Sequence, residues 1–186
     1  MATVTLRDED RSISDPAEIA SFLETFGIWY RRFEGGDALG EDATNEEILS
    51  AYDAPIQALM KEGGYVTADV INITPDIPNL DAMLAKFDKE HWHDEDEVRF
   101  IVGGSGLFHV NPKDGPIFSI EVVDGDMINV PEGTLHWFHL CQERAIRAIR
   151  LFKSKAGWTP CYTASGVNEG YVPMCFGPSY LPPAEG

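Results

Sequence analysis

Cysteine is scarce in this chain, and the three present, Cys141, Cys161 and Cys175, lie too far apart to form a CxxC or similar pair. An odd number without close spacing argues against a disulfide framework and a thiolate zinc site, and favours a reducing cytoplasm. Basic residues are few as well: 14 Lys and Arg stand against 31 Asp and Glu, a formal charge of −17. Such a chain repels phosphate backbones and anionic lipid surfaces, so neither nucleic acid nor a membrane is an expected partner. No apolar run approaches the ~20 residues of a membrane span, and the first residues lack the basic and apolar regions of a leader. A soluble, unprocessed, monomeric protein of the cytoplasm is expected. A small anionic substrate stays open, because a local cation or a bound metal can dominate the field inside a cleft.

What is present fits one domain. A chain of 186 residues buries roughly 70% of its unfolded surface in a single core, so it needs no metal or disulfide merely to fold. A first segment suited to an edge strand leads to Ser14-Asp15-Pro16, a polar cap with proline at the start of a helix. Ile19, Phe22, Leu23, Phe26 and Trp29 recur at steps of three and four, which predicts a helix to about Phe33 with one apolar face packed in the core. After a loop over 35–40, Thr44 and Glu47 form a capping box that opens a second helix to about Lys61. A strand over 65–74, a Pro-containing turn and a short helix over 79–87 follow.

From residue 97 the texture changes. Short apolar runs at 98–103, 107–111, 117–123, 127–130, 134–140 and 145–152 alternate with Gly-, Pro- and Asp-rich turns. Strands with turn signals about every ten residues predict an antiparallel sandwich or barrel. The tail from Gly157, rich in Gly, Pro and aromatics, is expected to pack over it as irregular chain.

Histidine is rare too, five in all, yet His91 and His93 sit two apart with Glu97 four residues further on. In extended chain these three share a face. Glu95 shares the parity and spacing alone leaves it open, but Glu97 opens the apolar strand and would be held rigidly. With His136, at the end of a Gly125 to Gly133 turn-rich stretch, the set suits a borderline divalent ion such as iron, nickel, manganese or zinc; magnesium and calcium would want more oxygen. His139 lies an odd number of residues from His136 and faces away from it. His109 and His139 read as ordinary surface or core histidines.

These residues resemble the two cupin motifs. His91-Trp-His93 followed by Glu97 and Gly104 is similar to the first, and Gly125, Pro131-Glu-Gly133 and His136 to the second. Ala85 stands where the first motif usually starts with glycine, and Leu140 where the second often ends in asparagine. Within cupins the chain resembles the acireductone dioxygenases of methionine salvage, through the HWHxxDExR pattern ending at Arg99, Pro-Glu-Gly-Thr-Leu-His136-Trp-Phe138, and Lys-Ala-Gly-Trp158.

The resemblance implies a mainly β jelly-roll barrel, a double-stranded β-helix with N-terminal helices. It divides the chain into helices and leading strands over 1–90, a metal-binding core over 91–155 and an irregular segment over 156–186. It also implies one Fe(2+) or Ni(2+) per chain on His91, His93, Glu97 and His136. The expected reaction is cleavage of 1,2-dihydroxy-3-keto-5-methylthiopentene by O2. Iron would direct it to formate and 4-methylthio-2-oxobutanoate, nickel to formate, carbon monoxide and 3-methylthiopropionate. Arg99, a charge within an apolar strand and of the same parity as Glu97, would stabilise the anionic enediol. Phe87, Phe138 and Trp158 match positions lining the apolar end of the substrate, and Asp96 matches a polar residue of the family site. A cupin sugar isomerase would need a phosphate-binding pocket, for which clustered Lys and Arg are lacking near the motifs, and a ligand-sensing cupin would need no metal.

Overall fold

The computed structural model describes residues 1–33, 39–40, 42–154, 158–171 and 173. Most of the loop expected over 35–40, together with Cys175 and residues 155–157, lies outside the described residues. In chain order the elements are β1 (Thr3–Leu6), β2 (Arg11–Ile13), α1 (Pro16–Glu24), β3 (Tyr30–Arg32), α2 (Asn45–Ala51), α3 (Asp53–Gly63), β4 (Thr67–Ile73) and α4 (Leu80–Leu84). Then come β5 (His91–Trp92), β6 (Glu97–Asn111), β7 (Phe118–Val123), β8 (Asp126–Val130), β9 (Leu135–Leu140), β10 (Ile146–Phe152) and β11 (Cys161–Tyr162). No described helix is long and apolar enough to cross a membrane.

One sheet runs β11-β5-β9-β6-β7-β1-β2, and β6 continues into a second sheet, where it lies between β10, backed by β4, and β8, backed by β3. All of these pairings are antiparallel. The result is the expected jelly-roll barrel.

The two runs read as separate strands at 98–103 and 107–111 are in fact one strand, β6. Its first half pairs with β8 and β10, its second with β7 and β9. The glycines between the runs bend the strand instead of ending it. Arg147 and Ala148 on β10 face Gly103 and Ile101, so Val102 is an extra residue, a bulge. Gly104 follows at φ +72, where a Cβ would lie 2.2 Å from the Ala145 carbonyl oxygen, so glycine is required. The bulge also inverts the side-chain parity: Arg99 and Ile101 point inward before it, Phe108 and Val110 after it.

The first helix is shorter than its apolar stripe suggested. It stops at Glu24, where Gly27, at φ +74, closes a Schellman turn with Gly27 N–H on the Glu24 carbonyl (3.0 Å) and Ile28 N–H on that of Leu23 (3.1 Å). Residues 30–32 then pair with β8, because the barrel offers them a strand edge. The second helix is two, α2 and α3, broken at Tyr52. Pro55 has no N–H to give to Ala51 and its ring crowds that carbonyl, so it is accommodated only in a new first turn. Ile48, Tyr52, Ile56 and Leu59 of these helices bury against Val98, Phe100, Ile149 and Leu151 on the outer face of the second sheet, each contributing roughly 1.5–3 kcal/mol. The inner faces, with Ile19 and Leu23 of α1, form the main core.

Candidate metal centre and adjoining cavity

The barrel brings His91, His93, Glu97 and His136 together, with one donor atom from each within 4.8 Å of the others. All four are at most 4% exposed. Pairing does the assembly: His91 on β5 faces His136 on β9 directly, and their ring centroids are 4.5 Å apart. His93 leaves β5 into a turn whose carbonyl accepts the Gly133 N–H at 2.9 Å, which ties the first motif to the second. Glu97 opens β6 opposite Val130. Glu95, left open by spacing, is turned away and accepts the Lys153 N–H.

Every imidazole is oriented the same way. His91 Nδ1 donates to the Lys89 carbonyl (2.7 Å), His93 Nδ1 to that of Thr159 (3.1 Å) and His136 Nδ1 to that of Thr134 (2.8 Å). A carbonyl oxygen only accepts, so Nδ1 holds the hydrogen and the neutral ring turns the Nε2 lone pair inward. Glu97 Oε2 lies 3.1 Å from the Nε2 atoms of both His93 and His136. Lone pairs facing lone pairs at that distance need a cation or protons between them. Burial, with His136 close by, pushes His91 down to about 4, so it does not supply a proton near neutrality. Burial also disfavours a charged His93, but the Glu97 carboxylate outweighs it and raises that group. Full burial would raise Glu97, yet Arg99 and the two imidazoles hold it well below the usual carboxylate range. Three inward nitrogens around one ionised carboxylate fit a borderline divalent metal ion.

Arg99 Nε donates to Glu97 Oε1 at 2.8 Å, and the Trp158 ring lies 4.8 Å from its guanidinium carbon. Arg99 thus holds the metal-facing carboxylate as well as facing a cavity. That cavity, about 320 Å³, is walled by Ile71, Ile73, Met83, Leu84, Phe87 and Phe138, with Phe108 and Arg99 also lining it. Phe108 reaches back to the donors, its centroid 6.4 Å from that of His136. None of the four donors lines this cavity itself, which reaches them through Arg99 and Phe108; a wider hollow of about 720 Å³ beside Trp92 and Glu132 is lined by neither the donors nor these two residues.

The structure brings Phe87 and Phe138 to the cavity but places Trp158 elsewhere. Its ring stacks near His93, Phe152 and Arg99, and its Nε1 donates to the Asp96 carbonyl. The Asp96 carboxylate pairs with Lys153 Nζ (2.6 Å) and accepts the Glu132 N–H, and it does not line the cavity. One residue escaped sequence reasoning: Glu90, 3% exposed, accepts hydrogen bonds from Asn111, Thr163 and Ser165. It fastens the segment carrying Thr159, hence His93. In the mixed-charge stretch Asp88-Lys89-Glu90 before the motif nothing distinguishes it from a solvated carboxylate.

The ARD/ARD' family model matches residues 8–160. The chain belongs to this family. An acireductone dioxygenase from Picosynechococcus sp. is 42% identical over 171 residues, covering 92% of this chain and 97% of that protein. One from Parvibaculum lavamentivorans is 43% identical over 153 residues, covering 82% and 83%. Among solved structures, the acireductone dioxygenase from Bacillus anthracis with a cadmium ion in its active centre superposes with a TM-score of 0.80 at 35% identity, covering 87% of this chain and 98% of that one. Family membership agrees with the four-residue metal-binding group found here.

Proposed function

We propose that this chain cleaves 1,2-dihydroxy-3-keto-5-methylthiopentene with O2 as an acireductone dioxygenase of methionine salvage, using one Fe(2+) or Ni(2+) on His91, His93, Glu97 and His136. The observation that carries the reading is the donor set itself, three imidazoles locked with Nε2 inward around a buried carboxylate, beside a mainly apolar cavity lined by three cationic side chains, Lys86, Arg99 and Arg150, of which Arg99 is bonded to that carboxylate. When bound, the metal supplies Lewis-acid contact to the enediolate and fixes how it is presented to O2.

The residues of the chain do the rest. Arg99 commits its Nε to Glu97, and its terminal N–H groups, which have no hydrogen-bond partner among the described residues, are available to the anionic oxygens of the substrate. Phe87 and Phe138 take the methylthio tail and exclude water. Trp158 lies against Arg99 and fixes the guanidinium plane. Asp96 serves through its backbone, by holding Trp158. In this reading the catalytic unit is a monomer that acts on a small-molecule acireductone and O2. The iron-loaded protein should yield formate and 4-methylthio-2-oxobutanoate, the nickel-loaded protein formate, carbon monoxide and 3-methylthiopropionate. Oxygen uptake and product analysis on acireductone test this, and no turnover by fully loaded samples of either metal would overturn it.

A further inference from the structure

We propose that Gly106 sets the depth of the apolar cavity by providing the seat for the Phe138 ring, and so determines how long a substrate tail is accepted. The proposal rests on the reading that the tail of an acireductone enters this cavity.

Gly106 lies on β6 between Leu140 of β9 and Val122 of β7. Its φ is outside the left-handed region, unlike that of Gly104, so backbone conformation does not require glycine here. Space does. A Cβ at 106 would lie 2.2 Å from Phe138 Cζ, 2.6 Å from its Cε2 and 3.2 Å from Ile146 Cδ1. The ring therefore rests on the bare backbone of β6. Phe138 has little freedom to yield as a whole: its main chain pairs with Phe108 across β6, and its N–H donates to the Phe87 carbonyl at 2.8 Å. The ring is also bounded by Phe108, at a centroid distance of 4.8 Å, and by Ile146. The space left for a displaced ring is the cavity that Phe138 already lines. A single methyl at 106 would thus shorten the tail pocket without touching a metal donor. Gly103, three residues earlier, is the matched contrast, because a Cβ there meets nothing closer than 3.5 Å.

The test uses the nickel-loaded full chain with two acireductones, one bearing the methylthioethyl tail and one in which a methyl group replaces it. Gly106→Ala should raise KM for the long-tailed substrate by about 10-fold or more, the range for one methylene in an apolar pocket. KM for the short substrate and the metal content should stay near wild type. Gly103→Ala should match wild type with both substrates. Adding Phe138→Leu to Gly106→Ala should restore the long-tailed substrate, and Phe138→Leu alone should admit tails longer than the natural one. If Gly106→Ala does not fold, the tail preference of Phe138→Leu decides the matter. Equal losses on both substrates, or an unchanged tail preference in every variant, would overturn the role of Gly106. Wild-type protein that turns over neither acireductone would instead overturn the functional reading beneath it.

Discussion

β9 carries His136 and His139 three residues apart, and the sheet delivers them to opposite faces. Inside the barrel His136 joins His91, His93 and Glu97, with each Nδ1 bound to a carbonyl. Outside, His139 meets His109 edge-on at 5.3 Å, and His109 stacks on Trp137 at 4.9 Å. Among the described residues, neither nitrogen of His109, nor Nδ1 of His139, nor Nε1 of Trp137 has a hydrogen-bond partner. Both groups are histidine clusters on one sheet, the inner one buried throughout and the outer one made of buried His109 and partly buried His139. The inner one has a carboxylate at its centre and a carbonyl behind every ring, which leaves each ring an inward donor. The outer one has neither, and its rings serve as flat apolar surfaces. Burial and the neighbouring His139 and Arg7 push His109 down to about 3, so it stays neutral.

The largest effect should come from the inner group. His136→Ala should cost metal affinity more than the roughly 10- to 100-fold typical of losing an outer-shell partner, and oxygen uptake should vanish with it. His109→Leu, measured in parallel by elemental analysis, should retain its metal. Loss from both variants would erase the contrast.

Arg99→Leu comes next. Removing charge-assisted hydrogen bonds worth ~1.5–3 kcal/mol should raise KM for the acireductone about 10- to 100-fold. Metal content should fall less, although the Nε bond to Glu97 means that it should fall somewhat. Equal losses would make Arg99 a support of the metal site alone.

A third comparison uses pH. Unfolded, His109 takes a proton near 6.5, whereas folded it resists until about 3. Between these values the unfolded chain binds more protons. Stability should therefore be fully present above pH 6.5 and fall on acidification, by up to ~1.4 kcal/mol for each pH unit. Denaturant unfolding of wild type and His109→Leu across this window should show a flatter curve for the variant.

The smallest effect is that of His109→Leu at neutral pH. Replacing an unpartnered buried imidazole with an apolar group should leave the protein as stable or stabilise it by about 1 kcal/mol, raising Tm by about 2–4 °C. A clear drop in Tm would mean that the Trp137 stack matters more than the orphaned nitrogens.

Much of the inner group was legible. Period-two spacing puts His91, His93 and Glu97 on one face, and the helix cap at Thr44 and most strand positions were open to reading because they are local properties. Features that depend on a distant partner were not. Gly103 to Gly106 reads as a turn until β10 shows that the strand bends through it. Phe26 and Trp29 extend a helical stripe until β8 recruits residues 30–32. Asp96 and Trp158 read as residues of the substrate site, yet one pairs with Lys153 and the other lies on Arg99.

By itself, then, the sequence determined the chemistry available to this protein: which donors it has, in which local spacing, on an acidic chain with few cationic groups near the motifs. Only the tertiary structure decided how that chemistry is aimed. The choice of Glu97 over Glu95, the inward turn of each Nε2, the bond from Arg99 to the carboxylate and the bare backbone beneath Phe138 all arise from contacts between residues far apart in the chain. Local periodicity specifies a face of a strand, whereas the partner lying across that face is set by how the strands pair.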